Sequence, residues 1–107
     1  QMVQAKIAEM AAEIEAARLL VYRSGFLKDQ GVRDSLESTT AKYLASEAAV
    51  KASNYAVEIY GGYGYSDEFP VARLYRDAKL YQIGEGAAHI TKIIIAQDAL
   101  GWKKANR

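Results

Sequence analysis

The chain contains no cysteine, one histidine, one tryptophan and one proline in 107 residues. Without thiols there is no disulfide framework and no thiolate metal site, which favours a reducing compartment, with the cytoplasm as the default. A single histidine without cysteine makes a metal centre improbable. No apolar run approaches the roughly 18–20 residues of a membrane span. The first residues show no charged leader followed by an apolar core, so a soluble protein with no membrane partner is expected. An excess of one charge is missing too: fourteen basic residues face thirteen acidic ones, net +1. No dense basic run occurs before the short Lys103-Lys104 tail, so nucleic acid is not the expected partner. What is present is a chain half hydrophobic and a quarter charged. That balance suits a globular helical protein and excludes a disordered or collagen-like one.

The length of 107 residues allows one domain with a modest core, spanning 1–107. Val3, Ile7, Met10, Ile14, Ala17 and Val21 recur in steps of three or four, which predicts a first helix to about Leu27 with these residues on its packing face. Because the pattern starts at Gln1-Met2-Val3-Gln4 with no capping residue ahead of it, the chain reads as a piece of a longer protein. Gly31 suits a left-handed turn, and Asp34 followed by Glu37 resembles a capping arrangement for a second helix from about Ser35 to Ile59. Its many alanines allow close packing. Between Gly61 and Phe69 the density of glycine predicts a structured loop. Pro70 fits the first position of a third helix running to about Lys79. A fourth, carrying Ile90, Ile93, Ile94, Ala96 and Leu100, ends near Gly101. The fold class is therefore all-α, an up-down four-helix bundle with two long and two shorter helices. The run Ile93-Ile94-Ile95 exceeds one packing face: it either meets another chain or lies deep between the other helices.

Glu85 stands between Gly84 and Gly86, and flanking glycines let another molecule approach the backbone closely. A carboxylate presented in this way suggests proton chemistry, for which partial desolvation would raise its pKa. The alternative is that Glu85 caps the fourth helix. Arg76 and Asp77 by themselves read as solvated helix charges paired with Arg73 or Lys79. Gly61, Gly62 and Gly64 by themselves read as a helix-ending turn. Tyr63 and Tyr65 pack that loop rather than stack on a nucleic acid base.

Taken together, Gly61-Gly62-Tyr63-Gly64-Tyr65, Phe69-Pro70, Arg76-Asp77-Ala78-Lys79 and Gly84-Glu85-Gly86 resemble, in order and spacing, the C-terminal domain of the acyl-CoA dehydrogenases. The resemblance covers essentially the whole chain and implies about the last third of a three-domain, FAD-dependent flavoenzyme. It implies acyl-CoA as substrate, α,β-desaturation, electron-transfer flavoprotein as acceptor, a homotetramer arranged as a dimer of dimers, and residence in a bacterial cytoplasm or a mitochondrial matrix. Glu85 would be the catalytic base, and with Gly86 would contact the thioester; the Glu85 backbone N–H would form half of an oxyanion site. Glu58, Gly61, Gly62, Ala87 and His89 would lie against FAD, the glycine loop touching the adenosine part of a flavin bound mainly by a neighbouring subunit. The Arg-Asp-Ala-Lys string of the resemblance implies a positioning role for Arg76 and Asp77. Departures from the family pattern fall at Glu58, Gly84, Ala87 and Ala88. Glu58 stands where a glutamine is usual and, when ionised, accepts but cannot donate. Ala87 and Ala88 precede His89 where a threonine and a polar run are usual, while Gly84 replaces a frequent tyrosine and leaves room beside the base. The piece alone is expected to be inactive. A non-enzymatic helical assembly module and an acyl-CoA oxidase-type relative are the competing readings.

Overall fold

The computed structural model describes residues 1–102; the Lys103-Lys104 tail lies outside them. Five helices follow one another: α1 (Met2–Asp29), α2 (Ser35–Tyr60), α3 (Gly62–Tyr65), α4 (Pro70–Ile83) and α5 (Ala88–Ala99). Gly31 closes α1 at φ 69°, with the Gly31 and Val32 N–H groups donating to the carbonyls of Lys28 and Leu27. Gly101 closes α5 at φ 70°, with Gly101 and Trp102 donating to Asp98 and Gln97. Both are Schellman ends, the conformation that a glycine just past a helix favours. Pro70 opens α4 at its first turn as expected.

Three local expectations need correction. Asp34 sits at the N-cap of α2 but makes no capping bond. Its carboxylate instead accepts from the buried Ser24 hydroxyl at 3.0 Å, and Glu37 pairs with Arg23 at 3.7 Å, so both acids tie α2 to α1. The stretch expected as loop contains a helical turn, α3. Gly61 at φ 61° breaks α2, and Gly64, buried and without a Cβ, lets the next turn close onto the backbone of Val57. Finally, α4 runs four residues past Lys79, to Ile83, before Gly84 ends it.

The long α2 is the spine. Cross-links between Lys6 and Glu58, Glu13 and Lys51, and Arg23 and Glu37 set α1 antiparallel to it, and α4 also descends alongside it. Helix α5 climbs back, its first turns beside the first turns of α2. Each of these helices packs chiefly against α2, giving an open bundle of 49 × 25 × 23 Å. What is buried is small: Ala17, Ala41, Ala48, Val71 and Ala78, with Ser24, Ser46 and Thr91. Small side chains on α2 let three helices share one axis at close range.

The packing face of α1 differs from the one that apolar periodicity selected. Lys6, Met10, Glu13, Ala17, Leu20, Ser24 and Leu27 are the residues that α1 buries or half-buries. Val3, Ile7 and Val21 are 48, 52 and 49% exposed. Polar cross-links and alanines thus hold α1 to α2, while an apolar stripe faces outward. On α5 the isoleucines divide, Ile94 and Ile95 half-buried and Ile93 exposed.

The α1–α2 seam carries a pH dependence. Lys51 bridges Glu9 at 2.9 Å and Glu13 at 2.5 Å, and the Tyr55 hydroxyl donates to Glu9 at 3.0 Å. Hydrogen bonds from Lys51 and then Tyr55 hold Glu9 below its ordinary value of 4.5; bonds from Lys6 and then Asn54 do the same for Glu58. Carboxylates depressed in the folded state stabilise it above their unfolded pKa, and that stabilisation is lost as pH falls through the folded values. The complete protein should therefore lose melting temperature as pH drops below about 4.5. A Glu9→Gln, Glu58→Gln double variant should show a shallower acid limb in thermal melts. Parallel acid limbs would remove these carboxylates as the cause.

Candidate active site

The turn 84–87 joins α4 to α5, and its conformation is unusual. Glu85 has φ 53°, the one positive value for a residue other than glycine among the described residues, and Gly86 follows at φ 103°. A left-handed backbone costs a residue with a Cβ about 1–2 kcal/mol. The surroundings must hold Glu85 there. Helix α5 starts at an Ala87 N-cap without a side-chain capping bond, so Glu85 is not its cap. The carboxylate is exposed instead, at the edge of an open depression of about 380 Å³ lined by Ser38, Thr39, Lys42, Ile90, Thr91 and Ile94 together with Glu85 and Gly86. Those walls mix hydroxyls, an ammonium and aliphatic side chains. The desolvation expected around Glu85 is thus not found among the described residues.

Beneath the turn lies Lys42, which sequence reading did not single out. Its ammonium donates to the Tyr81 carbonyl at 2.8 Å and to the Gly86 carbonyl at 2.5 Å, bridging the end of α4 and the far side of Glu85. Nothing in the local pattern Ala41-Lys42-Tyr43 marks it, because both partners are about forty residues away in sequence. Gln82, one residue before Ile83, donates to Glu47 of α2 at 2.9 Å and accepts from Lys79 at 2.6 Å. Lys79 therefore serves Gln82 rather than Asp77. Arg76 and Asp77 are exposed, and neither forms an ion pair among the described residues.

Glu58, Gly61 and Gly62 gather at the opposite end of α2. From Lys42 to Tyr60 the helix advances about 27 Å at 1.5 Å per residue. The structure therefore brings together Glu85, Gly86, Ala87 and His89 around the α4–α5 turn, and sets Glu58, Gly61 and Gly62 apart from them. A Cβ added at Gly61 or Gly62 would meet nothing within 4 Å, so both present open backbone to an approaching group. Tyr60 and Tyr63 lean on Phe69 with ring centroids 5.8 and 5.3 Å away, and Tyr65 is 89% exposed. Glu58 is already engaged: one oxygen pairs with Lys6 and the other accepts from Asn54 at 2.8 Å. His89 is exposed in the first turn of α5.

The family description "Acyl-CoA dehydrogenase, C-terminal domain" matches residues 1–100. This chain belongs to that family. Glutaryl-CoA dehydrogenase of Desulfococcus multivorans is 56% identical over 108 residues, which take in 100% of this chain and 28% of that protein. The mitochondrial short-chain specific acyl-CoA dehydrogenase of Rattus norvegicus is 46% identical over 96 residues, 90% of this chain and 23% of its own length. Among solved structures, the glutaryl-coenzyme A dehydrogenase glutaryl-CoA complex matches with a TM-score of 0.93 at 56% identity, over 100% of this chain and 27% of that one. A solved structure described as the electron transferring flavoprotein of Acidaminococcus fermentans matches with a TM-score of 0.91 at 41% identity, over 94% of this chain and 26% of that one. The chain thus spans about a quarter of the length of these relatives. Acyl-CoA dehydrogenases are FAD-dependent oxidoreductases, and the all-helical fold is that of their C-terminal domain. No helix among the described residues is long and apolar enough to cross a membrane.

Proposed function

We propose that this chain is the catalytic-base and oligomerisation domain of an FAD-dependent acyl-CoA dehydrogenase that introduces a Cα–Cβ double bond into an acyl-CoA thioester. The observation that carries the reading is Glu85: a carboxylate held at a strained φ of 53°, exposed at a depression and not used as a helix cap. Its Oε atoms accept the α-proton, and its backbone N–H, freed by the turn, donates to the thioester oxygen as negative charge builds there. A bound FAD would supply the acceptor for the β-hydrogen, which leaves as hydride. Gly86 lets the thioester pass close to the backbone, and the remaining domains of the complete enzyme exclude water from Glu85.

FAD contacts fall into two groups. The backbone of Gly61 and Gly62 is open, and the N-terminal turn of α5 at Ala87 and His89 carries N–H groups without intrahelical partners. The span of α2 between them supports service to two flavins, with the Gly61 loop touching one held by a neighbouring subunit. Glu58 contributes by fixing the end of α2 to Lys6. The outward stripe Val3, Ile7 and Val21, with Ile93 of α5, supports burial in a homotetramer. Electron-transfer flavoprotein is the acceptor, and a bacterial cytoplasm or mitochondrial matrix is the setting.

The deciding experiment is the visible spectrum of the complete protein, taken anaerobically before and after a panel of acyl-CoA thioesters that includes glutaryl-CoA. A flavin band that bleaches with one thioester is expected and names the substrate class. A colourless protein that takes up neither FAD nor acyl-CoA overturns the reading in favour of an assembly module. The 107-residue chain by itself should not bleach flavin, and at high concentration it should sediment as an oligomer. A strictly monomeric profile would count against the tetramer.

A further inference from the structure

Holding a non-glycine residue in the left-handed region requires a counterforce, and the turn 84–87 is too short to supply one by itself. Its two ends are the last turn of α4 and the first turn of α5. At the C-terminus of α4 the unpaired carbonyls carry partial negative charge, and α4 has no basic residue of its own in that turn. The Gly84 N–H takes the Leu80 carbonyl at 2.8 Å, leaving Tyr81 next in line. Lys42 of α2 reaches that carbonyl at 2.8 Å and, with a second N–H, the Gly86 carbonyl at 2.5 Å. One ammonium thus closes a ring around residues 81–86, the segment that contains Glu85. Five residues along α2, Glu47 accepts from Gln82 and fixes the same turn of α4 from a second point.

We propose that Lys42 is the positioning residue of this site: by clamping the Tyr81 and Gly86 carbonyls it holds Glu85 in its left-handed conformation and aims the carboxylate into the depression. The inference rests on Glu85 being the base. Lys42 does not touch the reacting atoms; it acts through the backbone on both sides of Glu85. A lysine suits the task because its three N–H donors rotate on a compact charge and meet two carbonyls of different direction. Glycine at 84 and 86 gives the turn freedom, and the clamp removes that freedom at no cost in side-chain bulk beside the base.

The test uses the complete, FAD-loaded protein with Lys42→Met, Lys42→Gln and Lys42→Arg. Reduction of the flavin by the best thioester should slow about 100-fold in Lys42→Met, the scale of a misplacement of roughly 1 Å. FAD content should be retained, and KM should change little. Exchange of the thioester α-proton with deuterated solvent should slow in parallel, because it reads the base without hydride transfer. Lys42→Arg, with several donors, should recover most of the rate, and Lys42→Gln should fall between. Hydrogen–deuterium exchange of residues 81–88 should quicken in Lys42→Met, a readout independent of turnover. Wild-type reduction rates in Lys42→Met overturn the proposal. So does unchanged exchange of residues 81–88, or loss of FAD and melting temperature to the same degree in all three variants, which marks a purely structural lysine. A wild-type protein that no thioester reduces overturns instead the dehydrogenase reading on which the proposal rests, and full turnover in Glu85→Gln overturns the assignment of Glu85 as base.

Discussion

Glu85→Gln in the complete protein should leave FAD bound and melting temperature unchanged, while thioester-driven reduction of the flavin falls by about 10²–10⁴-fold, the usual contribution of a positioned general base. Glutamine has the same length and the same backbone strain, so the turn at φ 53° is kept and only the capacity to take a proton is lost. The carboxylate forms no cap on α5, so its removal breaks no bond that the fold depends on. A Glu85→Gly variant sharpens the point. Glycine adopts the left-handed region freely, so this change should relieve about 1–2 kcal/mol of strain and raise the melting temperature while abolishing reduction. Opposite effects on stability and rate would identify a residue kept against its conformational preference for the sake of chemistry. Turnover retained in Glu85→Gln would show that the base lies elsewhere. Anaerobic stopped-flow spectra and thermal melts of the two variants decide it.

The second large effect is expected at Gly64, far from that chemistry. A Cβ there would fall inside van der Waals contact with the Val57 carbonyl oxygen and at 3.0 Å from the Tyr60 Cβ. The Val57 carbonyl belongs to α2, so the clash cannot be relieved by a side-chain rotamer. Gly64→Ala should cost about 1–3 kcal/mol, the range for overpacking a closed contact. In a domain of this size that lowers the melting temperature by several degrees per kcal/mol, and by less in the complete enzyme. Displacing α3 also moves Gly61 and Gly62, so FAD retention should fall with it. Gly62→Ala is the control. It has no neighbour within 4 Å and an ordinary φ, so its stability should stay within about 0.5 kcal/mol of the parent. Equal melting temperatures for the two variants would refute the close α3–α2 contact.

Helix content and order follow from local rules, and these were legible. Apolar spacing, the Pro70 start and the glycine stops at Gly31 and Gly101 all appear where the chain places them. The one-turn α3 was not legible, because Gly64 is helical for a reason outside its own segment: the approach of Val57. Likewise Asp34 had the sequence neighbours of a cap, yet a hydroxyl ten residues earlier claimed its carboxylate. The packing face of α1 was misread for a related cause. Periodicity finds the most apolar stripe, and in this chain only Met10 and Ala17 of that stripe turn toward α2; Val3, Ile7, Ile14 and Val21 face outward while Lys6 and Glu13 reach across to it.

The candidate site divides in the same way. Glu85 between two glycines is visible in one dimension, as is the open backbone of Gly61 and Gly62. The resemblance to acyl-CoA dehydrogenases rests on just such local strings, and matching over residues 1–100 bears it out. Lys42 is not visible, since a lysine on an alanine-rich helix looks solvated until α4 and α5 are folded against it. Sequence by itself determined the four main helices, the glycine stops of α1 and α5, and which carboxylate is flanked by freedom, because propensity and glycine conformation act within a few residues. Tertiary structure alone decided which face of α1 packs, that the Glu85 turn and the glycine loop lie at opposite ends of α2, and that one ammonium spans the Glu85 turn. Those depend on contacts between residues some forty positions apart, whose geometry exists only once the helices share an axis.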